Sequence, residues 1–133
     1  IDPLMSLGGT ILGSINKGDT LAHADEILAS YAKLELDALI AVGGDGSLMI
    51  LHELARQGNW KFVGIPKTID NDVAQTVWSI GFDSAVNTVV DALNRLICTA
   101  ASHDRVMIVE VMGRTAGHLA LHAGLAGGAD CIL

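Results

Sequence analysis

Residues 38–65 constrain the fold more than any other stretch of the chain. Ala38-Leu39-Ile40-Ala41-Val42 is a short continuous apolar run bounded by Gly43-Gly44, the pattern of a parallel strand buried on both faces. Ser47 to Gln57 reads as a helix ended by Gly58, since glycine commonly closes a helix. Lys61 to Ile65 reads as the next strand, with Phe62-Val63-Gly64-Ile65 apolar. Strand, helix and strand within about 30 residues form a crossover unit, and such connections are right-handed in about 98% of cases. The chain is therefore expected to be α/β.

The other segments repeat this alternation. Residues 1–18 read as irregular, with a glycine-rich loop at Gly8-Gly9-Thr10-Ile11-Leu12-Gly13-Ser14 and Asn16-Lys17-Gly18 behind it. Asp19-Thr20 offers a helix N-cap. Leu21, Ala24, Ile27, Leu28 and Tyr31 follow at helical spacing to about residue 34. Gly81-Phe82-Asp83 opens a long helix to about Ala101, with Val86, Val89, Val90, Leu93, Leu96, Ile97 and Ala100 as its apolar stripe. Arg105 to Val111 reads as a third strand, Thr115 to Leu125 as a further helix, and Ala129 to Leu133 as the start of another strand. The expected architecture is a doubly wound, three-layer α/β sandwich with a mostly parallel sheet. Ligands of such sheets bind beyond the carboxyl ends of the strands.

Composition narrows the classes of partner. Hydrophobic residues make up 50% and charged residues only 17% of the chain, against about 25% charged on average. That imbalance points to extensive burial or to surfaces that meet further protein. Glycine supplies 15 of 133 residues, above the ~7% average. The net charge is −7 and no basic run occurs, which argues against nucleic acid. No apolar run reaches the ~18 residues of a membrane span, and no signal peptide is visible. Cys98 and Cys131 have no metal-like spacing and read as core thiols of a reducing compartment.

Two junctions carry chemistry. Gly43-Gly44-Asp45-Gly46-Ser47 joins a strand to a helix. Glycines there let backbone approach an anion, and the helix start presents unpaired N–H groups and a positive dipole end. Asp45 beside such a site is electrostatically odd unless a cation such as Mg²⁺ bridges carboxylate and phosphate. The plainer alternative is a helix cap in a tight turn. The second junction, Pro66-Lys67-Thr68-Ile69-Asp70-Asn71-Asp72, follows the apolar run to Ile65. If it stays extended, Thr68, Asp70 and Asp72 share one side, where the carboxylates repel unless a cation or proton intervenes. Otherwise it is a polar turn, with Asp capping the next element. His118 and His122 stand four apart on an expected helix. No HExxH glutamate accompanies them, so they read as a solvent-facing or hydrogen-bonded pair.

GGDGS at 43–47, PKTIDND at 66–72 and VMGR at 111–114 stand in this order at a spacing that closely resembles the 6-phosphofructokinase family. GGDG alone also resembles NAD kinases and lipid kinases, but those families do not carry PKTIDND one strand downstream. The resemblance runs from Gly8-Gly9-Thr10 to the end of the chain and covers less than half of a typical family subunit, so the chain looks like a fragment.

The resemblance implies transfer of the γ-phosphoryl of ATP to the 1-hydroxyl of fructose 6-phosphate, with Mg²⁺. It makes Asp70 the general base, Thr68 a donor to the transferring phosphoryl, and Asp72 a support for the sugar or the metal site. Gly44, Asp45, Gly46, Ser47, Lys67 and Lys17 become donor-binding residues, with Asp45 on the metal. Thr68, Asp70, Met112, Gly113 and Arg114 become sugar-site residues, Arg114 also contacting the phosphoryl. Arg105 lies at the other end of the expected strand and would reach across a subunit interface to the sugar 6-phosphate, which implies a homo-oligomer. Many bacterial members carry arginine at the position of Asn16, where Lys17 offers a substitute charge.

The resemblance also divides the chain, with 1–81 as the later part of a donor-binding domain and 82–133 as the early part of a sugar-phosphate domain. It implies a cytoplasmic, glycolytic, allosteric enzyme. Ile97 falls where allosteric bacterial relatives carry a basic effector contact, while Asp130 matches their acidic one, so half of that effector pattern is absent. Two rivals remain: a pyrophosphate-dependent enzyme on the same sugar, which Lys67 favours and Gly46 opposes, and a non-catalytic regulatory subunit. The intact acids Asp45, Asp70 and Asp72 oppose the latter.

Overall fold

The structure, a computed structural model, describes residues 2–133. Its elements run α1 (Asp2–Met5), a 3-10 turn (Thr20–His23), α2 (Ala24–Lys33), β1 (Leu39–Gly43), α3 (Asp45–Gly58), β2 (Phe62–Pro66), α4 (Phe82–His103) and α5 (His118–Gly127). They form two compact units, Ile1–Ala41 with Gly46–Gly64, and Val42–Asp45 with Ile65–Leu133. Among the described residues no helix is long and apolar enough to cross a membrane.

β1 and β2 pair as a two-stranded sheet. In the first unit the Leu39 N–H donates to the Lys61 carbonyl at 2.8 Å. In the second, the Lys67 N–H donates to the Gly43 carbonyl at 2.8 Å. Residue numbers rise together on both strands, so the ladder is parallel, as a helical crossover requires.

The first unit is held by α2, α3 and the first residues of the two strands. The Asp19 carboxylate accepts from the Ala22 N–H at 3.2 Å, so it caps a 3-10 turn that leads into α2. Tyr31 on α2 stacks on Trp60 with centroids 3.9 Å apart and planes 14° from parallel. Leu54 and Ala55 on α3 are buried. In the second unit α4 and α5 pack on each other. A Cβ at Gly127 would lie 2.5 Å from Leu93 Cδ1, so any larger residue there would have to displace the Leu93 side chain between α5 and α4. Phe82, Leu119 and Ala123 are fully or almost fully buried there.

Several sequence expectations need correction. Residues 2–5 are helical rather than irregular. Helix α3 begins at Asp45 rather than Ser47, and α5 begins at His118 rather than Thr115, after a turn in which the Ala116 N–H donates to the Gly113 carbonyl at 3.0 Å. Residues 105–111 form no strand. Val106 and Ile108 are each 91% exposed, while Met107, Val109 and Val111 are more covered. That is the period-two burial of an extended chain without the neighbouring strand whose N–H and C=O groups would make a ladder. Residues 129–133 likewise form no strand. Cys98 and Cys131 are exposed rather than core thiols, because Cys98 lies on the outer side of α4 and Cys131 follows its last partner helix.

Candidate active site

The second unit brings the two chemical junctions together at the carboxyl ends of β1 and β2. The bond from the Lys67 N–H to the Gly43 carbonyl sets the last residues of the strands side by side. A Cβ built on Gly44 would lie 3.7 Å from Thr68 Cβ and 3.8 Å from the Lys67 carbonyl oxygen. Gly44 therefore rests against Lys67-Thr68, close enough that a Cβ there would be in van der Waals contact with both. Asp45 is the first residue of α3, followed by Gly46 and Ser47 in the same first turn. The leading N–H groups of a helix lack intrahelical acceptors and can be offered to an anion.

The acidic segment does not stay extended. The Thr68 hydroxyl oxygen accepts the Asp70 N–H at 3.1 Å, which bends the chain by an ST-type turn. Asn71 follows in the left-handed region, at φ 51°, a conformation that asparagine tolerates better than most residues. Alternation of Thr68, Asp70 and Asp72 along one face is thus replaced by a turn. Nor does an Asp cap the next helix: Gly81 occupies the N-cap of α4 without a side-chain bond. As an acceptor, the Thr68 hydroxyl keeps its own proton for another partner. Among the described residues no hydrogen bond or ion pair holds the carboxylate of Asp70 or Asp72, or the ammonium of Lys67.

The loop beyond is tied back on itself. The Asn71 side chain donates to the Val77 carbonyl at 3.1 Å and accepts from the Ser79 N–H at 2.8 Å. The Ser79 hydroxyl donates to the Thr68 carbonyl at 2.7 Å. The Ile80 N–H then returns to the Pro66 carbonyl at 3.0 Å, a parallel bridge between Lys67 and Ile80. Neither Asn71 nor Ser79 was among the site residues expected from the sequence. The signal was an asparagine flanked by two aspartates, where a left-handed residue is most easily placed.

Gly113 and Arg114 take successive positive φ angles of 140° and 54°, and the turn closes on Gly113. A left-handed arginine is backbone strain of the kind that accumulates at functional sites. Arg114 and Met112 are exposed. Arg105 is exposed and hydrogen-bonded through its N–H to the Ala100 carbonyl at the end of α4. Lys17 belongs to the first unit, exposed in the glycine-rich loop, with its N–H on the Ser14 carbonyl at 3.2 Å. Among the described residues no hydrogen bond holds the His122 imidazole, which packs edge-on against Trp78 and Phe82, with centroids 5.5 and 5.3 Å away. Among the described residues no group of three or more His, Cys, Asp or Glu could cage a metal. A Mg²⁺ carried on phosphates needs only one or two carboxylates, and Asp45 at the head of α3 suits that lesser demand.

A parallel α/β sheet with a glycine turn and an acidic turn on adjacent strand ends defines the class: α/β proteins that hold ligands at the carboxyl edge. The family profile described as Phosphofructokinase matches residues 1–133, and the chain belongs to that family. It is 78% identical over 133 residues to "ATP-dependent 6-phosphofructokinase 2" of Nostoc sp. (strain PCC 7120), covering all of this chain and 37% of the relative. It is 72% identical to "ATP-dependent 6-phosphofructokinase" of Thermosynechococcus vestitus, covering all of this chain and 36% of the relative. A "Pyrophosphate--fructose 6-phosphate 1-phosphotransferase" of Dictyoglomus thermophilum is 47% identical, with 39% of it covered. The chain thus spans little more than a third of these relatives. Among solved structures, Pichia pastoris phosphofructokinase in the T-state matches with a TM-score of 0.72 and 31% identity, over 80% of this chain and 12% of that one. Saccharomyces cerevisiae phosphofructokinase matches with a TM-score of 0.68 and 33% identity, over 92% and 19%. The α/β fold expected from the sequence is the one shared with these structures.

Proposed function

We propose that the full-length protein carrying this chain transfers the γ-phosphoryl of ATP to the 1-hydroxyl of fructose 6-phosphate in glycolysis. The observation that supports this reading best is the seating of Gly44 on Lys67-Thr68, which brings the glycine turn beside the segment that holds Asp70 and Asp72. Phosphoryl transfer needs little covalent chemistry from a protein and much positioning and charge stabilisation. The N–H groups around Gly44, Gly46 and Ser47 hold donor phosphates, and Lys67 and Lys17 add positive charge. Asp45 serves the Mg²⁺ that, when bound, neutralises the polyphosphate. Asp70 takes the proton of the sugar hydroxyl, within hydrogen-bond reach as a general base must be. Thr68 donates its free O–H to the transferring phosphoryl, and Asp72 supports the sugar or the metal. Met112 and Gly113 line the sugar, and Arg114 contacts the phosphoryl in flight.

The same proposal divides the chain near Gly81 into parts of a donor domain and a sugar-phosphate domain. Arg105 acts on a neighbouring subunit of a cytoplasmic homo-oligomer, donating bidentately to the sugar phosphate. Gly46 supports ATP over pyrophosphate, because a carboxylate there would meet the nucleotide α-phosphate with bulk and like charge. The names of relatives at 72–78% identity support the same donor. Lys67 attracts any polyphosphate and excludes none. The test is turnover of the full-length protein with fructose 6-phosphate and Mg²⁺, offered ATP or pyrophosphate in parallel. ATP turnover is expected, and Gly46→Asp should abolish it. Turnover with pyrophosphate alone would overturn the donor assignment.

A further inference from the structure

On the strength of the function proposed above, we infer that Asn71 and Ser79 are positioning residues, which hold Thr68 and Asp70 in reacting geometry through a side-chain clamp across the loop. Asp70 follows directly on a hydroxyl turn and precedes a residue at φ 51°, so its carboxylate sits on a short piece of backbone with few constraints of its own. The constraints come from the far side of the loop. Ser79 is 5% exposed, and its hydroxyl fixes the Thr68 carbonyl at 2.7 Å. The Asn71 amide grips both the Ser79 N–H and the Val77 carbonyl, at 2.8 and 3.1 Å.

These bonds bracket Asp70 from both sides. One ends on the residue two before it, and the others start from the residue just after it. The clamp is itself anchored, because Ile80 pairs with Pro66 at the end of β2 and Phe82 begins α4 fully buried. Neither Asn71 nor Ser79 needs to touch a substrate to matter. Loss of the clamp lets the Thr68–Asp70 turn shift relative to the Gly44 loop, and a misplacement of about 1 Å can reduce rate some 10²-fold. Binding should suffer less, since the sugar and donor contacts are spread over other residues.

The experiment uses the full-length protein and two variants that remove the clamp by different routes. Ser79→Ala deletes the bond to the Thr68 carbonyl. Asn71→Gly deletes both amide bonds while keeping a residue at ease with positive φ. Steady-state kcat per folded molecule and both KM values are measured well below each variant's Tm, with the folded fraction from thermal unfolding. The expected result is a kcat loss of roughly 10- to 100-fold, with both KM values within about threefold of wild type. A kcat within twofold of wild type in folded Ser79→Ala and Asn71→Gly would overturn the clamp. So would failure of both variants to fold, since the bonds would then serve the fold and not the site. Asp70→Asn runs alongside as the control on the function itself. If it is inactive while the clamp variants turn over normally, the inference fails and the proposed function stands. If Asp70→Asn turns over normally, the proposed function fails and the clamp with it.

Discussion

Arg105 and Arg114 stand at the two ends of one extended segment, and their separation decides what each can touch. Nine steps of extended chain span up to about 30 Å, far more than the reach of a guanidinium. Arg114 lies in the left-handed turn with Gly113, and Arg105 stands at the end of α4. The phosphate contacts proposed for the two arginines therefore fall in two different sites, which is the physical ground for the cross-subunit role proposed for Arg105. In the full-length protein, Arg105→Ala should raise the KM for fructose 6-phosphate roughly 10- to 100-fold, matching the ~1.5–3 kcal/mol of a hydrogen bond to a charged group. Donor KM should be unchanged, and initial-rate kinetics with each substrate varied in turn would show the split. A rise in donor KM alone would place Arg105 elsewhere. The placement of single residues was legible in the sequence where it is set locally. The strand-to-helix glycines imposed the position of Asp45, and Thr68 and Asp70 had to leave β2 after Pro66. The bond from Asn71 to Ser79 spans eight residues, and no periodicity announces it.

Helix α3 shows what an element adds on its outer face. Arg56 holds Glu53 through two bonds, Nε to Oε2 at 3.0 Å and Nη2 to Oε1 at 2.7 Å, and Gln57 donates to Oε1 at 2.8 Å. The Arg56 hydrogen bond, then that of Gln57, lowers the Glu53 carboxyl from 4.5 to about 2. A depressed folded-state value means the stabilisation is present above the unfolded value and is lost as pH falls through the folded one. The window is therefore from 4.5 down to about 2. The pair is exposed, so solvent and salt keep its contribution small. Glu53→Gln should lower the Tm of the full-length protein slightly near neutral pH, and the gap to wild type should close as pH drops through that window. Thermal unfolding between about pH 7 and pH 2 tests this, and a constant gap would show that charge pairing is not its cause. Helices such as α3 and α4 were legible because their periodicity is internal to the segment. The run from Arg105 to Val111 has equal strand propensity yet forms no ladder, because a strand is completed only by its neighbour.

At the scale of the whole chain, each unit leaves apolar side chains open. Ile40 and Val63 in the first, and Val42, Val77, Val106, Ile108 and Leu125 in the second, are all more than half exposed. Burying one such side chain is worth about 1.5–3 kcal/mol, so these surfaces drive association wherever they meet. The relatives, of which this chain matches little more than a third, have polypeptide enough to cover them. Two outcomes are therefore expected. The 133 residues expressed alone should associate, bind a hydrophobic dye and show no kinase turnover. In the full-length protein the amides of residues 107–111 should exchange slowly, because the segment gains the strand partner it lacks here. Sedimentation of the short chain and hydrogen exchange of the long one decide the matter. A monodisperse short chain with sharp thermal unfolding would show that its apolar faces cover one another. Fast exchange at Met107 and Val109 in the full-length protein would show that Arg105–Val111 is a linker there too, which would also remove the strand on which the placement of Arg105 depends.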